Sequence, residues 1–150
     1  MSLPLKRVLF VCIGNSCRSQ MAEAFARTYG GDVLIAASAG LRPAFGIAPD
    51  TMRAMSEKAI DLRDQFPKGL RHLGRAEFDL VINMSGFDVP DQPGAVTRSW
   101  DVPDPICVSY DEHCEVRDYI EKLVMDLILE LRREQSGPQF RPFGSGRVKL

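Results

Sequence analysis

Short runs that are apolar throughout alternate along this chain with stretches whose apolar residues recur every three or four positions. Val8–Cys12 is almost wholly apolar, as expected of a parallel strand covered on both faces. Ser19–Tyr29 follows with Met21, Phe25 and Tyr29 four apart, which predicts a helix. Val33–Ser38 reads as a second strand, closed by Ala39 and Gly40. Ala48-Pro49-Asp50 opens a helix expected to line one side with Met52, Met55 and Ala59. Asp61–Gly74 has no single period and leaves room for a short helix. Phe78–Met84 predicts a third strand and Val96–Trp100 a fourth. Val116, Ile120, Leu123, Leu127 and Leu131 mark a last helix starting near Asp111.

Strands that alternate with helices predict βαβ units and a parallel sheet with helices on both faces. One domain over residues 1–135 is expected. A flexible C-terminal tail is expected over 136–150, where Gly, Pro and basic residues collect without a period. Ligands of such folds bind beyond the carboxyl ends of the strands, and Cys12 ends the first one.

Composition narrows the function. The 150 residues are 45% hydrophobic and 26% charged, ordinary for one globular core. A net charge of -1 gives no electrostatic case for nucleic acid. The first apolar run is too short for a leader, and no run nears the ~20 residues of a membrane span. The four cysteines and two histidines have no zinc spacing, so neither a metal nor a cofactor is expected. With this much apolar material a disulfide scaffold is not needed, and a reducing cytoplasm is the expected compartment. His72 and His113 lack motif context and are assigned to surface or core duty; Cys114 is assigned to the last helix.

The chemistry concentrates in CIGNSCRS, between strand and helix. Gly14, Asn15 and Ser16 tolerate the backbone angles of a tight loop. In such a loop the amides of Ile13, Gly14, Asn15, Ser16, Cys17 and Arg18 can turn inward as a nest for a tetrahedral anion. The helix start adds its positive dipole end, and Arg18 a planar grip on two oxygens. A sulfur at position 12 is then favoured as thiolate, the nucleophilic form, with Ser19 able to donate to it. Neither the nucleotide P-loop pattern nor a dinucleotide fingerprint is present.

CIGNSCRSQMAEAF resembles the phosphate loop and first helix of low-molecular-weight protein tyrosine phosphatases and the related thioredoxin-coupled arsenate reductases. The resemblance extends through SAG at Ser38–Gly40, FDLVINM at Phe78–Met84 and WDVPDP at Trp100–Pro105. It implies a single-domain α/β fold, a four-stranded parallel sheet of order 2-1-3-4. It also implies that Cys12 is the nucleophile, Arg18 the oxyanion clamp and Asp104 the general acid. Asn15, Ser19 and Ser38 would support the loop. On this pattern the Cys12 thiolate attacks phosphorus, Asp104 protonates the leaving group, and water hydrolyses the cysteinyl-phosphate.

Two branches share these parts. The first expectation is a phosphatase acting on phosphomonoesters, with protein phosphotyrosine or a small phosphomonoester as substrate. Tyrosines that often follow Asp-Pro in that branch are replaced by Ile106 and Cys107, leaving Phe45 or Tyr110 as aromatic walls. Gln65 stands near where a loop-supporting histidine is often found, which predicts a weaker support network. The alternative is arsenate reduction, for which Ser85 stands in place of the first relay cysteine. That alternative needs an external thiol reductant, or a relay through Cys17 or Cys107. Phosphate, sulfate or arsenate should fit the loop either way. Cys17 is also a candidate redox partner of Cys12. A third reading, a phosphate carrier without turnover, would have no use for Asp104.

Overall fold

The computed structural model describes residues 4–148, with side chains described through Ser136. Its elements are β1 (Lys6–Cys12), α1 (Arg18–Gly30), β2 (Leu34–Gly40), α2 (Pro49–Ser56), a 3-10 turn (Leu70–Leu73), β3 (Leu80–Asn83), β4 (Val96–Ser99) and α3 (Tyr110–Val148). All four strands pair in parallel in the order β2-β1-β3-β4, as expected. The central β1 carries the register: Val8 faces Ala36 on one side and Leu80 on the other. Its residues Val8 to Cys12 are all buried, which is why they read as one unbroken apolar run.

Alternate residues of β1 serve two cores. Val8, Phe10 and Cys12 join Met21, Phe25, Met55, Ile120 and Ile128 beneath the α-helices. Leu9 and Val11 join Ala39, Phe78 and Val81, covered by Leu70 and Leu73 of the 3-10 turn. Phe10 and Phe25 are fully buried, and each burial contributes about 1.5–3 kcal/mol. β4 is exposed along its length, as befits an edge.

Two boundaries differ from expectation. α2 stops at Ser56, and Ala59 lies beyond it, exposed, with φ at 60°. Ala59 therefore turns the chain and does not line the helix. The helical backbone of α3 is described to Val148, through the segment expected as a flexible tail. Side chains after Ser136 lie outside the described residues, as do residues 149–150.

Candidate active site

β1 delivers Cys12 to the carboxyl edge of the sheet, and α1 begins six residues later at Arg18. The intervening loop is fixed from outside. Leu41 and Arg42 donate their amides to the carbonyls of Cys12 and Ile13, at 3.1 and 2.8 Å. Ala44 and Ala48 do the same for Gly14 and Ser16, at 2.9 and 3.1 Å. Since these carbonyls point outward, the neighbouring amides are left to face the interior. Asn15, with φ at 51°, supplies the left-handed turn that curls them together. No side chain caps α1, and no acidic residue stands in its first turn. The helix dipole is thus left for an anion.

Gly40 makes room for this loop. A Cβ there would lie 2.7 Å from the Ile13 carbonyl oxygen, 2.8 Å from the Asn15 nitrogen and 2.9 Å from the Gly14 carbonyl carbon. The end of β2 is the floor on which the loop rests.

The Asn15 side chain orders the hydrogen bonds around the sulfur. Its Oδ1 accepts from the Lys68 amide at 2.9 Å and from Gln20 Nε2 at 3.0 Å. Its Nδ2 donates to Ser19 Oγ at 2.7 Å and Ser38 Oγ at 2.9 Å. Because Ser19 Oγ already accepts, its own proton is free for Cys12 Sγ, 2.8 Å away. The Ser19 amide adds a longer contact to the same sulfur at 3.5 Å. Ser38 Oγ donates its hydrogen bond to the buried Glu23 carboxylate, which pairs with Arg27. The expected trio of Asn15, Ser19 and Ser38 is therefore brought together around Cys12.

The support network continues beyond this trio through a pair of glutamines. Gln65 Nε2 donates to Gln20 Oε1 at 2.6 Å, and Gln20 in turn holds both the carbonyl and the side chain of Asn15. Gln65 thus feeds the loop through a second amide. Gln20, Glu23 and Lys68 were not singled out from sequence. Glu23 and Gln20 are polar residues buried in α1, a signal that only burial exposes.

Arg18 is buried and tied to two segments. Its Nη1 donates to the Met84 carbonyl at 2.7 Å and the Val102 carbonyl at 3.1 Å. Its Nη2 lies 3.5 Å from Asp104 Oδ2. These contacts leave Nε–H and part of Nη2 for an oxyanion. Asp104 is half-exposed, and its Oδ1 accepts from the Ile106 amide at 3.2 Å. The Cys12 loop, Arg18 and the Asp104 loop thus meet at one edge of the sheet, an arrangement suited to tetrahedral oxyanions.

The model of the low molecular weight phosphotyrosine protein phosphatase family matches residues 7–137. The chain belongs to that family. It is an enzyme of the low-molecular-weight phosphatase superfamily, in which its relatives divide by activity. A glutaredoxin arsenate reductase from Synechocystis is 34% identical over 131 residues, spanning 85% of this chain and 99% of the relative. The structure of an arsenate reductase in the phosphate binding state superposes with a TM-score of 0.75 at 32% identity, covering 85% and 99% of the two chains. The YwlE arginine phosphatase from Geobacillus stearothermophilus gives 0.73 at 25% identity, covering 87% and 95%.

Other sequence candidates separate at this point. Ser85, where the arsenate alternative expects a first relay cysteine, is buried and bonded to Asn83 Oδ1 at 2.6 Å, a polar staple after β3. Phe45 is fully exposed on the segment that fixes the loop. Tyr110 is engaged elsewhere, its hydroxyl on Glu57 at 2.6 Å and its ring under Arg53. Tyr110 therefore does not wall the loop. Cys17 is buried beside Ser16, whereas Cys107 is exposed in the turn after Asp104. His72 is exposed against Phe66, and His113 is buried. Among the described residues no helix is long and apolar enough to cross a membrane, and no group of His, Cys, Asp or Glu is placed to hold a metal.

Proposed function

We propose that this protein reduces arsenate to arsenite, with Cys12 as nucleophile and thiols as the source of electrons. The observation that carries oxyanion chemistry is the 2.8 Å contact from the Ser19 hydroxyl to Cys12 Sγ, within a loop whose carbonyls are all turned away. The choice of arsenate rests on the similarity to arsenate reductases at nearly full length of the relatives. It is further supported by Ile106 and Cys107, which follow Asp104-Pro105 where tyrosines often stand in the phosphotyrosine-directed branch. Cys12 attacks arsenic and displaces one oxygen as water, while Arg18 and the loop amides hold the remaining oxygens. A thiol then attacks the Cys12 sulfur, and arsenic leaves with the bonding pair as arsenite.

The phosphatase expected first from sequence remains the second reading. It is favoured by the place of Asp104, 3.5 Å from Arg18 Nη2, from which its protonated form would reach a leaving group held in the loop. One assay separates them. The protein is offered arsenate with glutathione and glutaredoxin, or with thioredoxin, and in parallel para-nitrophenyl phosphate and a phosphotyrosine peptide. Arsenite release with matching thiol consumption, abolished in Cys12→Ser, is the expected result. Rapid Cys12-dependent phosphate release with no arsenite would replace this reading with the second.

A further inference from the structure

Between the end of β2 and the 3-10 turn lies a cavity of about 450 Å³, lined by Leu41, Pro43, Leu70, Arg71, His72 and Pro90 among others. Its size is that of a small-molecule site, roughly 300–1,000 Å³. It stands apart from the reacting sulfur. Leu41 and Leu70 pack on the core of Leu9 and Val11, whereas the Cys12 side chain belongs to the core on the other face of the sheet. The walls are held by backbone. The Gly40 amide donates to the Lys68 carbonyl at 2.8 Å, the Leu41 amide to the Cys12 carbonyl at 3.1 Å, and Gly40 forms a parallel bridge with Gly69. A ligand entering here meets a site that is already assembled, so little chain entropy opposes its binding.

The cavity is apolar within and cationic at its rim. Leu41, Pro43, Leu70 and Pro90 supply the apolar surface, and both prolines are exposed. Arg71 and His72 line it and reach solvent, and the exposed Arg42 stands between Leu41 and Pro43 in the chain. Among the described residues neither Arg42 nor Arg71 pairs with a carboxylate. By contrast Arg63, Arg98 and Arg132 each hold one, at 2.7, 2.6 and 2.8 Å. Asp91 follows Pro90 in the chain but does not line the cavity. The His72 ring stands edge-on to Phe66, with centroids 5.2 Å apart. A guanidinium without a counter-ion, set beside apolar surface, can grip a carboxylate or phosphate while the body attached to that group leaves water.

We propose that this cavity binds a small organic anion, a flat ring carrying one carboxylate or phosphate group, at a place separate from the Cys12 loop. The ring packs against Leu41 and Leu70 between the two prolines. Its anionic group faces Arg71, with Arg42 and His72 as further donors. Cys12 Sγ lies on the opposite face of the sheet, so the occupant is a ligand of the protein and not a substrate of that sulfur. The site does not depend on which oxyanion reacts at Cys12, and it stands or falls independently of the arsenate reading.

The test is a titration of the isotope-labelled full chain with naphthoate, followed by backbone amide shifts, after inorganic phosphate has filled the Cys12 loop. Saturable shifts centred on Leu41, Gly69 and Leu70 are expected, with the amides of Ile13 to Arg18 staying at their phosphate-bound positions. Naphthamide, the uncharged analogue, should bind about tenfold more weakly, the loss expected when a charged hydrogen bond is removed. Arg71→Gln should weaken naphthoate by a similar factor. Arg75→Gln removes the same charge outside the cavity and should leave naphthoate binding unchanged. Both arginines are exposed, so neither substitution disturbs the core. A second arm uses naphthylphosphonate, read at the same cavity amides: tighter binding than naphthoate assigns the site to organic phosphates, weaker binding to carboxylates. Naphthoate shifts confined to Ile13–Arg18, or no saturable binding, would overturn the proposal. Equal affinity for naphthoate and naphthamide, or equal losses in Arg71→Gln and Arg75→Gln, would overturn it as well.

Discussion

Replacing Gly40 by alanine tests whether the loop is held by the end of β2. The new methyl would stand 2.7 Å from the Ile13 oxygen and 2.8 Å from the Asn15 nitrogen, both backbone atoms that no rotamer change can move aside. Restoring an ordinary contact of about 3.4 Å requires the loop to lift by roughly 0.7 Å. Gly40 has no positive φ, so the effect is one of space and not of backbone strain. A misplacement near 1 Å in a reacting geometry costs about 10²-fold, which puts the loss at roughly 10- to 100-fold in kcat/KM, or about 1.4–2.7 kcal/mol. Overpacking should also lower the stability by about 1–3 kcal/mol. Gly46→Ala is the control, because a Cβ there meets nothing within 4 Å. Initial rates of arsenite release, phosphate affinity by calorimetry and urea unfolding of both variants provide the comparison. If Gly40→Ala binds phosphate and turns over like wild type, the loop does not rest on β2 in the way described.

Two further substitutions probe the wiring. Ser19→Ala removes the hydroxyl that donates to Cys12 Sγ and leaves one Asn15 amide proton unmatched. A hydrogen bond to a charged group contributes about 1.5–3 kcal/mol, so alkylation of Cys12 by iodoacetate at pH 7 should slow by roughly 10- to 150-fold; an unchanged rate would show that the sulfur does not depend on Ser19. His113 is held below the usual imidazole value chiefly by burial, so the unfolded chain binds its proton at a higher pH than the folded one. Stability should therefore fall as pH drops through about 6.5 towards the lower folded value, and His113→Gln should flatten that slope in urea titrations; equal slopes would refute the assignment.

Much of this site was legible because its signals are local. The apolar run Val8–Cys12, the small residues after it and the helical period from Met21 all lie within 25 residues of sequence. They place Cys12 and Arg18 at one loop without any long-range information. The order β2-β1-β3-β4 followed from the family resemblance and not from the pattern, since strand order is a tertiary property. What stayed hidden depends on contacts across the chain. Gln65 reaches Gln20 from 45 residues away, and Thr51 meets His113 from 62. Neither pairing leaves a spacing in the sequence. His113 read as surface or core duty because its partner Thr51 comes from α2, so only the fold reveals an imidazole lining the same cavity as Cys17. Ala59 shows the opposite error: it kept the helical period of Met52 and Met55 after the backbone had already turned.

The four amides of Leu41, Arg42, Ala44 and Ala48 make the anion site a rigid mould finished during folding. An incoming guest therefore has no chain to organise, and the entropy of assembling the donors is not charged against its affinity. The same rigidity sets a shape requirement. A planar ion such as nitrate or carbonate leaves some of the inward donors without an oxygen, and a mould that cannot relax turns each unmet donor into discrimination between guests of equal charge.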